Sequence, residues 1–330
     1  MAHVLAAVAA ALGVLGVVSV CVLALRRIQV ARADRTTREA EARLRPIALA
    51  LVDGEPVAGE LESRDALRVA ALLSRYARWL NRDARRNAAS FFEQLNAVDD
   101  AMLELRARRP WRRATAAFAL GDMGSPRAVP ALVASLDDPS RDVRAAATRS
   151  LGRLGAAEAV EPLVHALASG HLPHGVAGEA LLAVGADALP SLRRLERESD
   201  ATVRAAAVEL VGLLGNASDA PLLVERLRDT SAEVRAKAAR ALGRLGAGDA
   251  ASALRAGLDD RIPFVRAAAA NALGIVGDEE AVPALLHIAR TDRFEVARAA
   301  ARALARIDPS RTRAAADESP HLREATDLLA

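Results

Sequence analysis

Cysteine, lysine and aromatic residues are nearly missing from this chain. Cys21 is the only cysteine in 330 residues, which excludes an intramolecular disulfide framework and any thiolate metal cluster. Phe, Tyr and Trp together make 2% of a chain that is 52% hydrophobic, so large buried rings do not build its core. Ala, Leu and Arg take their place, and all three favour helix. Lys237 is the sole lysine, so the 45 basic residues are otherwise arginine. They face 42 acidic residues for a net charge of +3, a balance that excludes the strong basic footprint of a dedicated nucleic-acid binder. The sequence also lacks a nucleophile elbow, a phosphate-binding glycine loop and a paired-carboxylate motif. No enzyme activity and no cofactor are expected.

The first feature present is an apolar run, VLAAVAAALGVLGVVSVCVLAL, from Val4 to Leu25. As a helix its 22 residues span roughly 33 Å, enough for the hydrocarbon core of a bilayer. A cleaved signal peptide is the competing reading and needs a positive n-region and a small-x-small site. Here Met1, Ala2 and His3 precede the run and Arg26 and Arg27 close it, so the flanks favour an uncleaved anchor. Arg32, Arg35, Arg38, Arg43 and Arg45 follow, which predicts an N-terminus outside and the rest in the cytoplasm. The expected location is the inner membrane of a bacterium, in a single pass. Ala9, Gly13 and Gly16 form a small-xxx-small pattern that permits weak homodimerisation through the transmembrane helix.

The second feature is a repeat. DVRAAATRSLGRLG at Asp142–Gly155 returns as TVRAAAVELVGLLG at Thr202–Gly215, EVRAKAARALGRLG at Glu233–Gly246 and FVRAAAANALGIVG at Phe264–Gly277. Val203, Val234, Val265 and Val296 are spaced by 31 residues. WRRATAAFALGDMG at Trp111–Gly124 is the same unit, and GVAGEALLAVG at Gly175–Gly185 is an eroded copy. Each unit reads as a helix pair. Val143, Ala146, Ala147, Leu151 and Leu154 make the apolar stripe of a first helix. Gly155, Gly215, Gly246 and Gly277 stop it where a left-handed residue is wanted. A second helix follows, as in AVPALVASL and AVPALLHIA, with Pro130, Pro221 and Pro283 in its first turn. Thr230 with Glu233 fits a capping box. One pair cannot bury its faces alone, so the units stack.

The VRAAAxxALGxLG block with AVPALL and an Asp-rich turn resembles the bacterial short HEAT repeat, also known as the phycobilisome-lyase HEAT-like repeat. The resemblance implies an all-α, right-handed α-solenoid of about seven 31-residue helix pairs, here preceded by a single transmembrane helix. Relatives of this type include scaffolds, adaptors, bilin lyases and a di-iron hydroxylase. The hydroxylase uses His-Glu dipeptides as iron ligands, and this sequence contains none. The expected organisation is an anchor at 1–25, a basic juxtamembrane helix and linker at 26–60, and a divergent helical cap at 61–109. Repeats follow at 110–307 and a second cap at 308–330. In the first cap, Glu60–Leu80 and Asn87–Arg109 read as amphipathic helices, with Leu67, Leu72, Leu73, Tyr76 and Leu80 as one apolar side.

Arg113, Arg144, Arg204, Arg235 and Arg266 share one repeat position. Acids recur beside them at Asp138, Asp200, Asp229, Asp260 and Asp292, so a structural Arg–Asp ladder is expected rather than a grip on an external anion. His165, His171 and His174 fall within ten residues, but the loop carries no further ligand pair and is a weak metal candidate. The third repeat is irregular, its first helix starting about two residues late. In HEAT-type stacks the second helices line the inner face. The partner-binding candidates are therefore His165, Arg193, Arg194, Glu225, Arg226, Arg255 and His287. Together these readings predict a non-enzymatic, membrane-tethered scaffold or adaptor for a protein partner, itself a membrane protein or membrane-associated enzyme. A bilin-lyase-like ligand carrier and a nucleic-acid-binding HEAT protein are the alternatives.

Overall fold

Alanine-rich sequence, glycine stops and proline starts produce helices and 3-10 turns throughout the described chain. The computed structural model describes residues 38–55, 61–170 and 172–327. The apolar run Val4–Leu25 and His171 lie outside the described residues. The chain divides into two units, one running to Asp100 and including Asp122–Ser125, the other holding Ala101–Gly121 and everything from Pro126.

In the first unit, α1 covers residues 38–53, α2 Ser63–Tyr76 and α3 Arg82–Gln94, and α4 (Ala97–Glu104) begins at its end. Arg43 and Glu41 of α1 pair with Asp65 and Arg75 of α2 at 2.6 and 2.9 Å. Asn81 caps α3 by accepting the Ala84 N–H at 2.8 Å. The core is Leu44, Val69, Leu72, Leu73, Phe91 and Phe92. This corrects the expected stripe: Leu67 and Tyr76 are 66% and 43% exposed, and Ala66 and Val69 take the inward positions. Nor is 87–109 one helix, because Asn96 adopts φ 56° and separates α3 from α4.

The second unit stacks helix pairs. The first helices are α5 (Pro110–Met123), α7 (Arg141–Leu154), α9 (His174–Val184), α11 (Ala201–Leu214), α13 (Ala232–Arg244), α15 (Pro263–Val276) and α17 (Phe294–Ile307). The second helices are α6 (Val129–Ala134), α8 (Val160–Ala168), α10 (Leu189–Leu195), α12 (Ala220–Arg226), α14 (Ala251–Ala256) and α16 (Val282–Thr291). After α17, α18 (Pro309–Ala314) and α19 (Pro320–Asp327) complete the unit. Pro130, Pro221 and Pro283 do sit in the first turn, each as the second residue of its helix. Leu120, Leu151, Leu181, Leu242 and Leu273 from the first helices, with Leu132, Leu163, Leu192, Leu223, Leu254 and Leu285 from the second, are wholly buried. Each such leucine contributes roughly 1.5–3 kcal/mol of burial.

Two glycines per repeat do different work. Gly155, Gly246 and Gly277 stop their helices with φ of 63°, 63° and 81°, the left-handed cap that the sequence predicts. Gly215 departs from this: its φ is −77° and ψ −173°, and the chain leaves α11 extended into an Asn216–Asp219 capping box. The Thr230–Glu233 box is not formed, since Ser231 precedes α13 and its N–H donates to Asp229 at 2.8 Å. The other glycine, one turn earlier, is no stop at all. A Cβ on Gly152, Gly212, Gly243 or Gly274 would lie 2.4–2.9 Å from Ala180, Ala241, Ala272 or Ala303 of the next first helix. Backbone packs on alanine there, and this seam sets how closely neighbouring units approach.

Candidate interaction site

The Arg–Asp ladder is built by helix spacing. An arginine in the first turn of a first helix meets the aspartate that follows its own second helix. Arg113, Arg204, Arg235 and Arg266 each reach their aspartate with Nε and Nη2, at 2.7–3.0 Å, to Asp138, Asp229, Asp260 and Asp292. The remaining Nη1 then donates to carbonyls of the preceding turn, as Arg204 does to Glu198 and Ser199 at 2.9 and 2.8 Å. Both partners are largely buried, Arg235 at 8% exposure. Such two-pronged, charge-assisted pairs are directional as well as strong. The hydrogen bonds from Arg113, Arg235 and Arg266 hold Asp138, Asp260 and Asp292 below the ordinary carboxylate range. At Asp229 burial opposes ionisation most, yet Arg204 and the Ser231 N–H still bring the group down.

The ladder skips the third repeat. His174 stands where the arginine belongs, and Ser169 stands where Arg144 would find its aspartate. Arg144 instead binds the Asp138 and Pro139 carbonyls at 2.9 and 3.1 Å. Asp200, expected as a rung, serves as a helix cap: it receives the Thr202 N–H at the start of α11 at 2.7 Å.

The second-helix candidates divide by environment. Arg193 bonds Asp219 at 2.7 Å, which raises its pKa, and Arg255 bonds Asp278 and Glu280 at 2.9 Å. Arg226 contacts the Glu196 carbonyl at 3.2 Å and pairs with Glu225 at 3.2 Å. These residues tie neighbouring units. Arg194 pairs with Glu161 on the surface, and His165, Glu225 and His287 are exposed. His165, Arg194, Glu225 and His287 thus mark one solvent-facing line on α8, α10, α12 and α16, with Ala256 at that position of α14. His174 is the first residue of α9 and half-buried. Among the described residues no group of three or more His, Cys, Asp or Glu is placed to hold a metal.

Sequence reasoning missed Glu196. It follows α10 and is 1% exposed, and neither carboxylate oxygen has a hydrogen-bond partner among the described residues. Burial pushes its pKa up to about 7, with Arg226 opposing and Asp219 and Glu225 adding to the rise. Nothing in the sequence distinguishes it from the solvated Glu198 two residues later. Also missed is a groove of about 580 Å³ between α9, α11 and α13, on the first-helix side of the stack. Leu182, Leu210 and Leu213 line it with Gly178 and Ala205, and its charged lining groups are Glu179, Glu209, Glu233 and Lys237.

Helix pairs repeated at this spacing and tied in this way define an α-solenoid-like stack. A profile of HEAT repeats matches residues 98–185 and 220–305, just over half of the sequence. The chain belongs to the HEAT-repeat family. Among solved structures it is similar to importin beta, with a TM-score of 0.52 at 14% identity, over 83% of this chain and 42% of that one. It is also similar to human deoxyhypusine hydroxylase in complex with glycerol, with a TM-score of 0.33 at 21% identity, covering 83% and 99% of the two chains. The complex of CpcE and CpcF of phycocyanin lyase from Nostoc sp. PCC7120 gives 0.31 at 22% identity, covering 77% and 96%. At 14% identity the likeness to importin beta is one of fold alone. No curated protein matches the sequence significantly. Among the described residues no single helix is long and apolar enough to cross a membrane.

Proposed function

We propose that this HEAT-repeat chain is a non-enzymatic scaffold, tethered to a membrane by Val4–Leu25, that docks a protein partner on its helix stack. The observation that carries the reading is the division of charge in the second unit. The ladder arginines spend their donors inside the stack, whereas the groove beside α9 and the line of His165, Arg194, Glu225 and His287 face outward. The uncharged run followed by Arg26 and Arg27 supports the tether and a cytoplasmic stack. Tethering raises the effective concentration of the stack towards other membrane components without any new contact. A membrane protein or membrane-associated enzyme is therefore the partner class to expect.

The test has two arms. Carbonate extraction of membranes should leave the full chain in the pellet with residues 1–25 intact; release, or processing after Leu25, refutes the tether. Crosslinking and affinity capture from solubilised membranes should enrich a defined partner, and failure to enrich one refutes the scaffold. A chromophore or metal that co-purifies, or salt-sensitive retention on DNA, favours the ligand-carrier or nucleic-acid alternative instead.

A further inference from the structure

The groove has a cause that can be read residue by residue. At the seam between first helices, the glycine position runs Gly152, Leu182, Gly212, Gly243 and Gly274. Its alanine counterpart on the next helix runs Ala180, Leu210, Ala241, Ala272 and Ala303. Elsewhere glycine meets alanine at 2.4–2.9 Å from an ideal Cβ. Between α9 and α11 both positions are leucine, and two leucines cannot occupy the space of a hydrogen and a methyl group. The helices stand apart there: the nearest side chain to a Cβ on Gly178 is Leu210, at 3.8 Å. α9 is also short, with 11 residues against the 14 of α7 and α11, and Gly175 has nothing within 4 Å of its Cβ position. The outcome is a groove lined by glycine, alanine and leucine, Leu213 being 48% exposed.

Its edge is acidic. Three carboxylates, Glu179, Glu209 and Glu233, stand against one ammonium group. That ammonium, of Lys237, is already held by Glu209 at 2.7 Å and Glu233 at 3.8 Å. Glu179 is exposed and pairs with no base among the described residues. The remaining titratable group is His174, at the mouth beside Thr202.

We infer that this groove docks a basic amphipathic helix of a protein partner. Two leucine-sized side chains one turn apart enter between Leu182, Leu210 and Leu213, and an arginine or lysine on either flank meets Glu179 and Glu209. The helix-in-groove mode supplies the apolar anchors, and the acidic edge selects the sign of the flanks. The inference deepens the scaffold reading and rests on it only in taking a protein as the partner. It places docking on the first-helix side, away from the line of second-helix candidates.

A display library of random 16-residue helical peptides, selected against the full chain in detergent, tests it. Enriched peptides should carry apolar pairs at i and i+4 flanked by Arg or Lys. Their affinity should fall at least tenfold with Leu182→Gly combined with Leu210→Ala, which restores the ordinary seam and closes the groove. Glu179→Arg should weaken them at least tenfold as well, on a surface position that leaves folding intact, while Arg194→Glu should change nothing. Acidic or unenriched peptides, or binding indifferent to both groove variants, overturns the inference. Capture of a membrane partner that survives both variants leaves the scaffold standing and removes only the groove from it.

Discussion

Glu196 makes the thermodynamics of the third and fourth repeats depend on pH in a way that one substitution isolates. Its pKa is raised to about 7 in the fold, because burial disfavours the anion, and returns to an ordinary glutamate value near 4.5 on unfolding. Below the unfolded value both states hold the proton and the group is neutral in its effect. As pH rises from there the unfolded chain ionises first, so stability falls until the folded value is passed. A displacement of this size corresponds to under about 1 kcal/mol lost at pH 5 and about 3 kcal/mol lost by pH 8. Glu196→Gln keeps shape and polarity but cannot ionise. Its advantage over the parent chain should therefore grow from under about 1 kcal/mol at pH 5 to about 3 kcal/mol at pH 8. Urea denaturation of both proteins in detergent, followed by circular dichroism across that range, reads the difference directly, and other titrating groups cancel in it. A constant difference between pH 5 and 8, or a variant that is less stable at pH 8, would mean that Arg226 neutralises the carboxylate and that the burial argument is wrong.

Four further outcomes follow from the packing. Asp260→Asn leaves Arg235 buried without its counter-charge, and a loss of about 3–5 kcal/mol in chemical denaturation is expected. Because the ladder aspartates titrate below the ordinary range, their stabilisation is complete above about pH 4 and drains away as pH falls further. Chemical denaturation that shows undiminished stability from about pH 4 down to about pH 2 would contradict that assignment. Gly212→Ala should cost about 1–3 kcal/mol by forcing a methyl group onto Ala241, whereas Gly248→Ala, with open space around it, should be neutral or slightly stabilising. Gly155→Asn should be tolerated in its left-handed cap, but Gly215→Asn should lower the melting temperature, because its Cβ would lie 2.5 Å from the Val211 carbonyl.

The repeat, the helix pairs and the ladder were legible because each rests on a period. An arginine that returns every 31 residues beside a returning aspartate can be paired without coordinates, and bidentate geometry follows from the guanidinium fork. The late start of α9 was legible for the same reason. Cap chemistry was less so: Gly215 looks like its counterparts, but Asn216 and Asp219 offer the chain an extended exit that the repeats of Arg153 and Arg244 do not. Glu196 was invisible, since burial of a lone carboxylate depends on how α10 and α12 meet. The groove lay between these cases. Leu182 and Leu210 stand out once the inner glycine is known to be a contact. Read as a stop signal, that glycine gives no reason to expect that leucine in its place would hold neighbouring helices apart. Val4–Leu25 stands on its flanks alone.

The missing rungs at Ser169 and His174 divide the second unit mechanically. From Arg204 to Asp292 the charged pairs form an unbroken chain, while Arg113 and Asp138 stand apart on the other side. In a linear array held by nearest neighbours every junction carries the same tension, so extension concentrates at the weakest one. The third repeat is then the compliant link of a row of stiff ones. Anything seated in the groove beside it would act as a splint across that link, converting occupancy into rigidity along the whole row.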